Sequence, residues 1–230
     1  MIEPVALLKD LVRINTTNPP GEEEKLLLYL ERILQEHGIP YVYQKSAKGR
    51  GNLLAWQLAD QAEEAPLILM SHTDVVAAQA SQWKFPPFEA QEVDGYIYGR
   101  GTVDTKQLTA MELTAFLALK EKEIPLKRDV YFLATSDEES GSAYGLQWFL
   151  DHEITVGETT KTGRELFQGS DLISEGGGFP VVGGKREFYL CESGQKSCGT
   201  VEFTVKAKSA KGAFFTSGDG MERAMGLAED

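Results

Sequence analysis

Cysteine is scarce in this 230-residue chain, with two residues, and histidine is nearly as rare, with three. Cys191 and Cys198 have neither the paired spacing of a zinc knuckle nor the density of a secreted disulfide scaffold. Reduced thiols and a cytoplasmic location are the expectation. Basic residues are in deficit, 23 Lys and Arg against 35 Asp and Glu, and the net charge of −12 argues against nucleic acid or an anionic membrane as partner. No apolar run approaches the ~20 residues that span a bilayer. The first residues, "MIEPVALLKDLVRINTTNPPG", carry acids and a helical period, so they do not read as a secretory signal.

What remains is an ordinary globular composition, 42% hydrophobic and 25% charged, with no internal repeat and no low-complexity linker. Helical periodicity runs from Pro4 to Ile14 and again through "EEEKLLLYLERILQEHG", where Gly38 is a stop signal. "YVYQ" and "NLLAWQL" read as strands, and "PLILMSH" and "DVYFLAT" as continuous apolar strands covered on both faces. Between them "DTKQLTAMELTAFLALKEKEI" is an amphipathic helix. "GSAYGLQWFLDHEI" is expected as a further helix and "SDLIS" as a short strand. Alternating strand and helix predict a layered α/β domain with a largely parallel sheet. From about Lys185 the pattern changes to period two in "REFYLCES" and "GTVEFTVKAKS", which places a domain boundary near 190, giving segments 1–190 and 191–230.

In open α/β sheets ligands bind beyond the carboxyl ends of the strands. His72 and Asp74 follow one predicted strand, Asp137, Glu138 and Glu139 another, and Glu175 a third, while Asp104 sits where "GYIYGRGTVDTK" turns into a helix. Each has a plain structural alternative. Ser136 or Asp137 could cap a helix starting near Ser140, Asp104 could cap the helix after it, His72 could be a polar strand end, and Glu175 could occupy a turn beside Gly176. Their joint placement after successive strands is what these alternatives leave unexplained. Imidazole with several carboxylates suits a borderline divalent ion, zinc foremost, with cobalt or manganese possible. Residues two apart on an extended segment point the same way, so Asp74 is positioned to hold the second nitrogen of His72.

The pieces "LVRINTTNPPGEE", "GRGNLLAW", "LILMSHTDVV", "WKFPPFEAQEVDGYIYGRGTVDTK", "ATSDEESGS" and "ISEGGG" resemble, in order, a family of di-zinc metallohydrolases. That family includes aminoacylase, acetylornithine deacetylase, succinyl-diaminopimelate desuccinylase and glutamate carboxypeptidase. The resemblance implies a three-layer zinc-peptidase-like domain followed by the start of a small α+β lid. It also implies hydrolysis of the amide bond of an N-acyl amino acid or small peptide by metal-activated water. His72, Asp104 and Glu175 would hold one zinc, and Asp104 would bridge to a second zinc that Glu139 also binds. Glu138 would be the general base, and Asp74 would orient His72. Members are often homodimeric through the lid.

Departures from the family's pattern accompany these matches. Its second zinc takes a further His near the C-terminus, and neither His37 nor His152 stands at a matching position. Ala213 stands where the lid's substrate-reaching His is expected, while "KQL" follows Asp104 in place of Lys-Gly-Gly, and Ala77 replaces a frequent proline. The chain therefore reads as the first part of such an enzyme with an incomplete lid. The alternative expectation is an inactive fragment that binds at most one metal tightly. A zinc aminopeptidase of related fold is a further reading, against which "GRGTVDTK" and "NTTNPPG" weigh.

Overall fold

The structure, a computed structural model, describes residues 2–176, 180–183 and 186–189. The chain divides into two compact units, Met1–Gly176 and Gly177–Asp230. The expected lid segment 191–230, with Cys191, Cys198 and Ala213, lies outside the described residues.

The first unit opens with α1 (Pro4–Arg13) and α2 (Glu24–Glu36). Glu3 starts α1 by accepting from the amides of Val5 and Ala6, and Pro4 sits at a first-turn position where no amide hydrogen is needed. Leu26, Leu27, Leu30, Ile33 and Leu34 of α2 form one buried stripe. Gly38, at φ +61°, ends the segment in a conformation that favours glycine. Strands β1 (Tyr41–Ala47), β2 (Arg50–Gln57) and β3 (Leu67–His72) follow, then the short pair β4 (Gln91–Val93) and β5 (Tyr96–Tyr98). Next come α3 (Lys106–Glu121), β6 (Val130–Thr135), α4 (Leu146–Asp151), β7 (Glu153–Val156), β8 (Thr159–Thr162), the single turn α5 (Gly163–Leu166) and β9 (Asp171–Ile173).

The main sheet has the order β1-β2-β6-β3-β9. β6–β3 and β3–β9 pair in parallel, as expected, whereas β1–β2 and β2–β6 are antiparallel, so the sheet is mixed. Only two residues, Lys48 and Gly49, separate the paired Ala47 and Arg50 of β1 and β2, and a connection that short permits only an antiparallel hairpin. Both faces are covered. On one, α1, α2 and α3 bury Leu11, Leu30, Leu113 and Phe116 against Leu53, Ala55, Phe132 and Ala134. On the other, Phe149, Ile154 and Val156 lie over Leu54, Trp56, Tyr131 and Leu133. The alternation along β2 and β6 is the two-residue period of a strand buried on both sides.

The helix expected over "GSAYGLQWFLDHEI" is much shorter. Gly141 and Ser142 take positive φ, and Gly145, at φ −101° and ψ −120°, is also outside the helical region, so α4 begins only at Leu146. Its expected end is instead strand β7, where Ile154 and Val156 alternate inward in a β-branched run. Among the described residues of the second unit, β10 (Pro180–Gly183) and β11 (Arg186–Tyr189) form an antiparallel hairpin.

Candidate metal centre

The parallel pairing of β3 with both β6 and β9 brings three strand ends to one edge of the sheet. The register ends with His72 opposite Thr135, and Leu69 opposite Ile173. The segments that leave this edge carry Asp74, the acids 137–139 and Glu175. Asp104 arrives from the loop before α3.

The His72 side chain is buried, and its two ring nitrogens face different partners. Nδ1 lies 3.0 Å from the carbonyl oxygen of Asp74 and 3.4 Å from its carboxylate. Nε2 lies 3.1 Å from Asp104 Oδ1, 3.3 Å from Glu175 Oε2 and 3.9 Å from Glu138 Oε2. Two acceptors at Nδ1 place the proton there in the neutral ring, which leaves the Nε2 lone pair facing Asp104 and Glu175. His72, Asp104 and Glu175 each offer a ligand atom within 4.8 Å of the others. One lone pair and two anions at that separation repel unless a proton on Nε2 or a metal ion sits among them. The donor set, one imidazole and two carboxylates, therefore fits a divalent ion of the zinc type. The same charges act on the ring itself: burial pulls the His72 pKa down, but Asp74 and Glu175 outweigh it and push it up to about 11.

Asp74 is fully buried. Its Oδ1 accepts from the Glu138 amide at 3.0 Å, and its Oδ2 from the Glu139 amide at 3.1 Å and from Asn18 Nδ2 at 2.8 Å. Burial alone would raise its pKa; hydrogen bonds from His72, Asn18 and the Glu138 amide hold it below the usual value. One carboxylate thus touches the histidine and the backbone amides of both Glu138 and Glu139. Glu138 and Glu139 stand at the start of a 3-10 turn, Glu138–Ser140. Burial, the charges of nearby carboxylates and the opposing effect of His72 leave both with raised pKa values. Among the described residues, the Glu139 carboxylate is not part of the three-ligand group.

The plain alternatives for Asp104 and Asp137 are corrected by their surroundings. Thr105 is the cap residue of α3, and the Asp104 carboxylate turns to His72. Asp137 takes a left-handed φ of +66° and caps no helix through its side chain. Its carboxylate instead binds Arg50, Asn18 and, at 3.0 Å, the Tyr144 amide. His37 closes α2, with Nδ1 2.8 Å from Ile33 O, and His152 stacks on Trp148. Residues to which the sequence alone assigns no role also gather here. Lys106, fully buried, donates from Nζ to Leu11 O at 2.9 Å and Ile14 O at 2.6 Å, and burial lowers its pKa to about 7. A groove of about 530 Å³ lined by Ile39, Trp56, Leu58, Lys120 and Ile124 lies at the other end of β6 and contains none of these groups. Chemistry, more than volume, marks the rim at His72 as the site.

Comparison with known proteins points the same way. The model of a family described as "Peptidase family M20/M25/M40" matches residues 68–219. A probable succinyl-diaminopimelate desuccinylase of Staphylococcus epidermidis is 34% identical over 149 residues, 64% of this chain and 35% of that protein. Aminoacylase-1 of Sus scrofa is 30% identical over 148 residues, 64% of this chain and 36% of that protein. Among solved structures, an M20 family metallo-carboxypeptidase of Sulfolobus solfataricus superposes with a TM-score of 0.55 at 28% identity, covering 62% of this chain and 32% of that one. The chain spans about a third of the length of these relatives. Among the described residues no helix is long and apolar enough to cross a membrane.

Proposed function

The chain belongs to peptidase family M20/M25/M40, and we propose on that premise that its site serves metal-dependent hydrolysis of the amide bond of an N-acyl amino acid or short peptide. The observation that carries this reading is His72 Nε2 facing Asp104 and Glu175 at 3.1 and 3.3 Å. These three residues would hold one ion, zinc foremost, and Asp104 with Glu139 would contribute to a second. A bound divalent ion supplies Lewis acidity, polarising the scissile carbonyl and lowering the pKa of water.

The remaining work falls to the chain's own side chains. Glu138 takes the proton of the attacking water on its carboxylate and passes it to the departing amine nitrogen, so the proton lost at the start is returned at the end. Burial raises its pKa above the usual carboxylate value, which suits a base that must also give the proton back. Asp74 keeps the His72 ring oriented through Nδ1 and holds the Glu138 and Glu139 amides. The names of the relatives, a desuccinylase and an aminoacylase, support an acylated amino acid as substrate class.

The test is a panel of N-acetyl and N-succinyl amino acids and dipeptides offered to the zinc-loaded chain. Turnover should appear in the parent chain, and Glu138→Gln should lower it by about 100-fold or more with metal content unchanged. Turnover within a few-fold of the parent would remove Glu138 from its role. A second reading, one tightly held ion and no turnover, is favoured by the single three-ligand group found among the described residues. Two ions per chain with turnover would exclude it.

A further inference from the structure

Two of the motifs that match the family, "NTTNPPGEE" and "GRGNLLAW", contribute no metal ligand. The structure brings them together beneath the site. Segment 16–18 runs parallel to segment 73–75: Val75 N donates to Thr16 O, Asn18 N donates to Val75 O at 2.9 Å, and Thr16 Oγ1 donates to Thr73 O at 2.6 Å. This ladder sets Asn18 beside Asp74. Arg50, at the start of β2, reaches the same place from the other side. Its Nη2 donates to Asn18 Oδ1 at 2.6 Å and to Pro20 O at 2.8 Å, and its Nη1 meets Asp137 Oδ1 and, at 3.4 Å, Glu23 Oε1. The guanidinium also lies 5.5 Å from the Tyr144 ring centroid. Arg50, Asn18, Glu23 and Asp137 are all buried. At Gly21, with φ +83°, a Cβ would run into the Arg50 guanidinium, so that position needs glycine for space as well as conformation.

We propose that Arg50 is a positioning residue for the metal centre, acting through Asn18 on Asp74 and through Asp137 on the loop bearing Glu138 and Glu139. The chemistry is directional. A guanidinium can only donate, so the Asn18 amide must turn its oxygen to Arg50. Its nitrogen then faces Asp74 at 2.8 Å and Asp137 at 3.1 Å. The acceptor-only carboxylates of Asp74 and Asp137 select the same orientation from the other end, so Arg50 completes the hold on the amide that contacts the carboxylate beside His72. The Arg50–Asp137 ion pair meanwhile fixes the residue before Glu138, whose own amide hydrogen is taken by Asp74. A lysine carries the charge but lacks the fork that serves Asn18, Pro20 and Asp137 together.

This inference rests on the metal-site reading, and cobalt(II) binding to the 230-residue chain separates the two. Affinity and the visible spectrum of bound cobalt, which reports ligand geometry, are measured for the parent, His72→Ala, Arg50→Lys, Asn18→Ala and the Arg50→Lys/Asn18→Ala double variant. Circular dichroism of each reports folding. Arg50→Lys and Asn18→Ala should each weaken cobalt by about 10–100-fold with a changed spectrum, the range typical of groups that orient ligands. The double variant should be little weaker than the worse single, because both act along one route. If Arg50→Lys does not fold, Asn18→Ala decides alone. Parent-like affinity and spectrum in folded Asn18→Ala overturn the positioning role while leaving the metal site standing. A parent chain that binds no cobalt, or His72→Ala that binds as well as the parent, overturns the metal-site reading and this role with it.

Discussion

Glu112 on α3 is buried, with 4% of its surface exposed. Burial pushes its pKa from 4.5 to about 8, with the Ser71 hydroxyl and Met70 backbone offsetting part of that rise. A carboxyl with a raised pKa keeps its proton in the folded chain after the unfolded chain has lost it. The folded state then binds more protons, so stability falls as pH rises from 4.5 to about 8 and levels off above. At about 1.36 kcal/mol per pH unit, that window corresponds to roughly 5 kcal/mol. Glu112→Gln removes the titration without changing the shape. Urea unfolding of parent and variant should agree near pH 4.5 and diverge steadily, with the variant more stable by roughly that amount at pH 8. Glu23, raised to about 7 by burial, weakens both proteins over an overlapping window, so the difference between the two curves isolates Glu112. A difference that stays flat between pH 5 and 8 would refute the reasoning.

Leu113 is fully buried between the helices and the sheet, and Leu113→Ala should cost about 2–5 kcal/mol in urea unfolding. At Gly145 a Cβ would overlap the Ser136 carbonyl oxygen, immediately before the loop of Asp137 and the two glutamates. Gly145→Ala should therefore lower stability by about 1–3 kcal/mol in the same assay, the usual cost of an overfilled site.

Much of this architecture is legible in residue order because strand and helix signals agree with burial. β3 and β6 are continuous apolar runs, and the chemistry-bearing residues follow strand ends that parallel pairing later gathers. The hairpin of β4 and β5 carried a readable sign, Asp94-Gly95, both at positive φ as a tight hairpin turn requires. The helix reading of "GSAYGLQWFLDHEI" failed because apolar spacing outweighed Gly141, Ser142 and Gly145, whose backbone angles bar a helix there. The Arg50, Asn18 and Asp137 network was not legible as a network. Its members are 32 and 87 residues apart along the chain, and only the pairing of segment 16–18 with segment 73–75 joins them to Asp74. Asp137 looked like a helix cap for the same reason, since local sequence carries no trace of a partner so distant.

The central claim is that His72, Asp104 and Glu175 hold one metal ion together. Zinc titration by calorimetry against a competing chelator tests it most directly, comparing the parent chain with His72→Ala and Glu175→Gln. The account predicts a tight site in the parent, weakened by on the order of 100-fold or more when the imidazole is removed and substantially when Glu175 is neutralised. Equal zinc affinity in the parent and His72→Ala would contradict it.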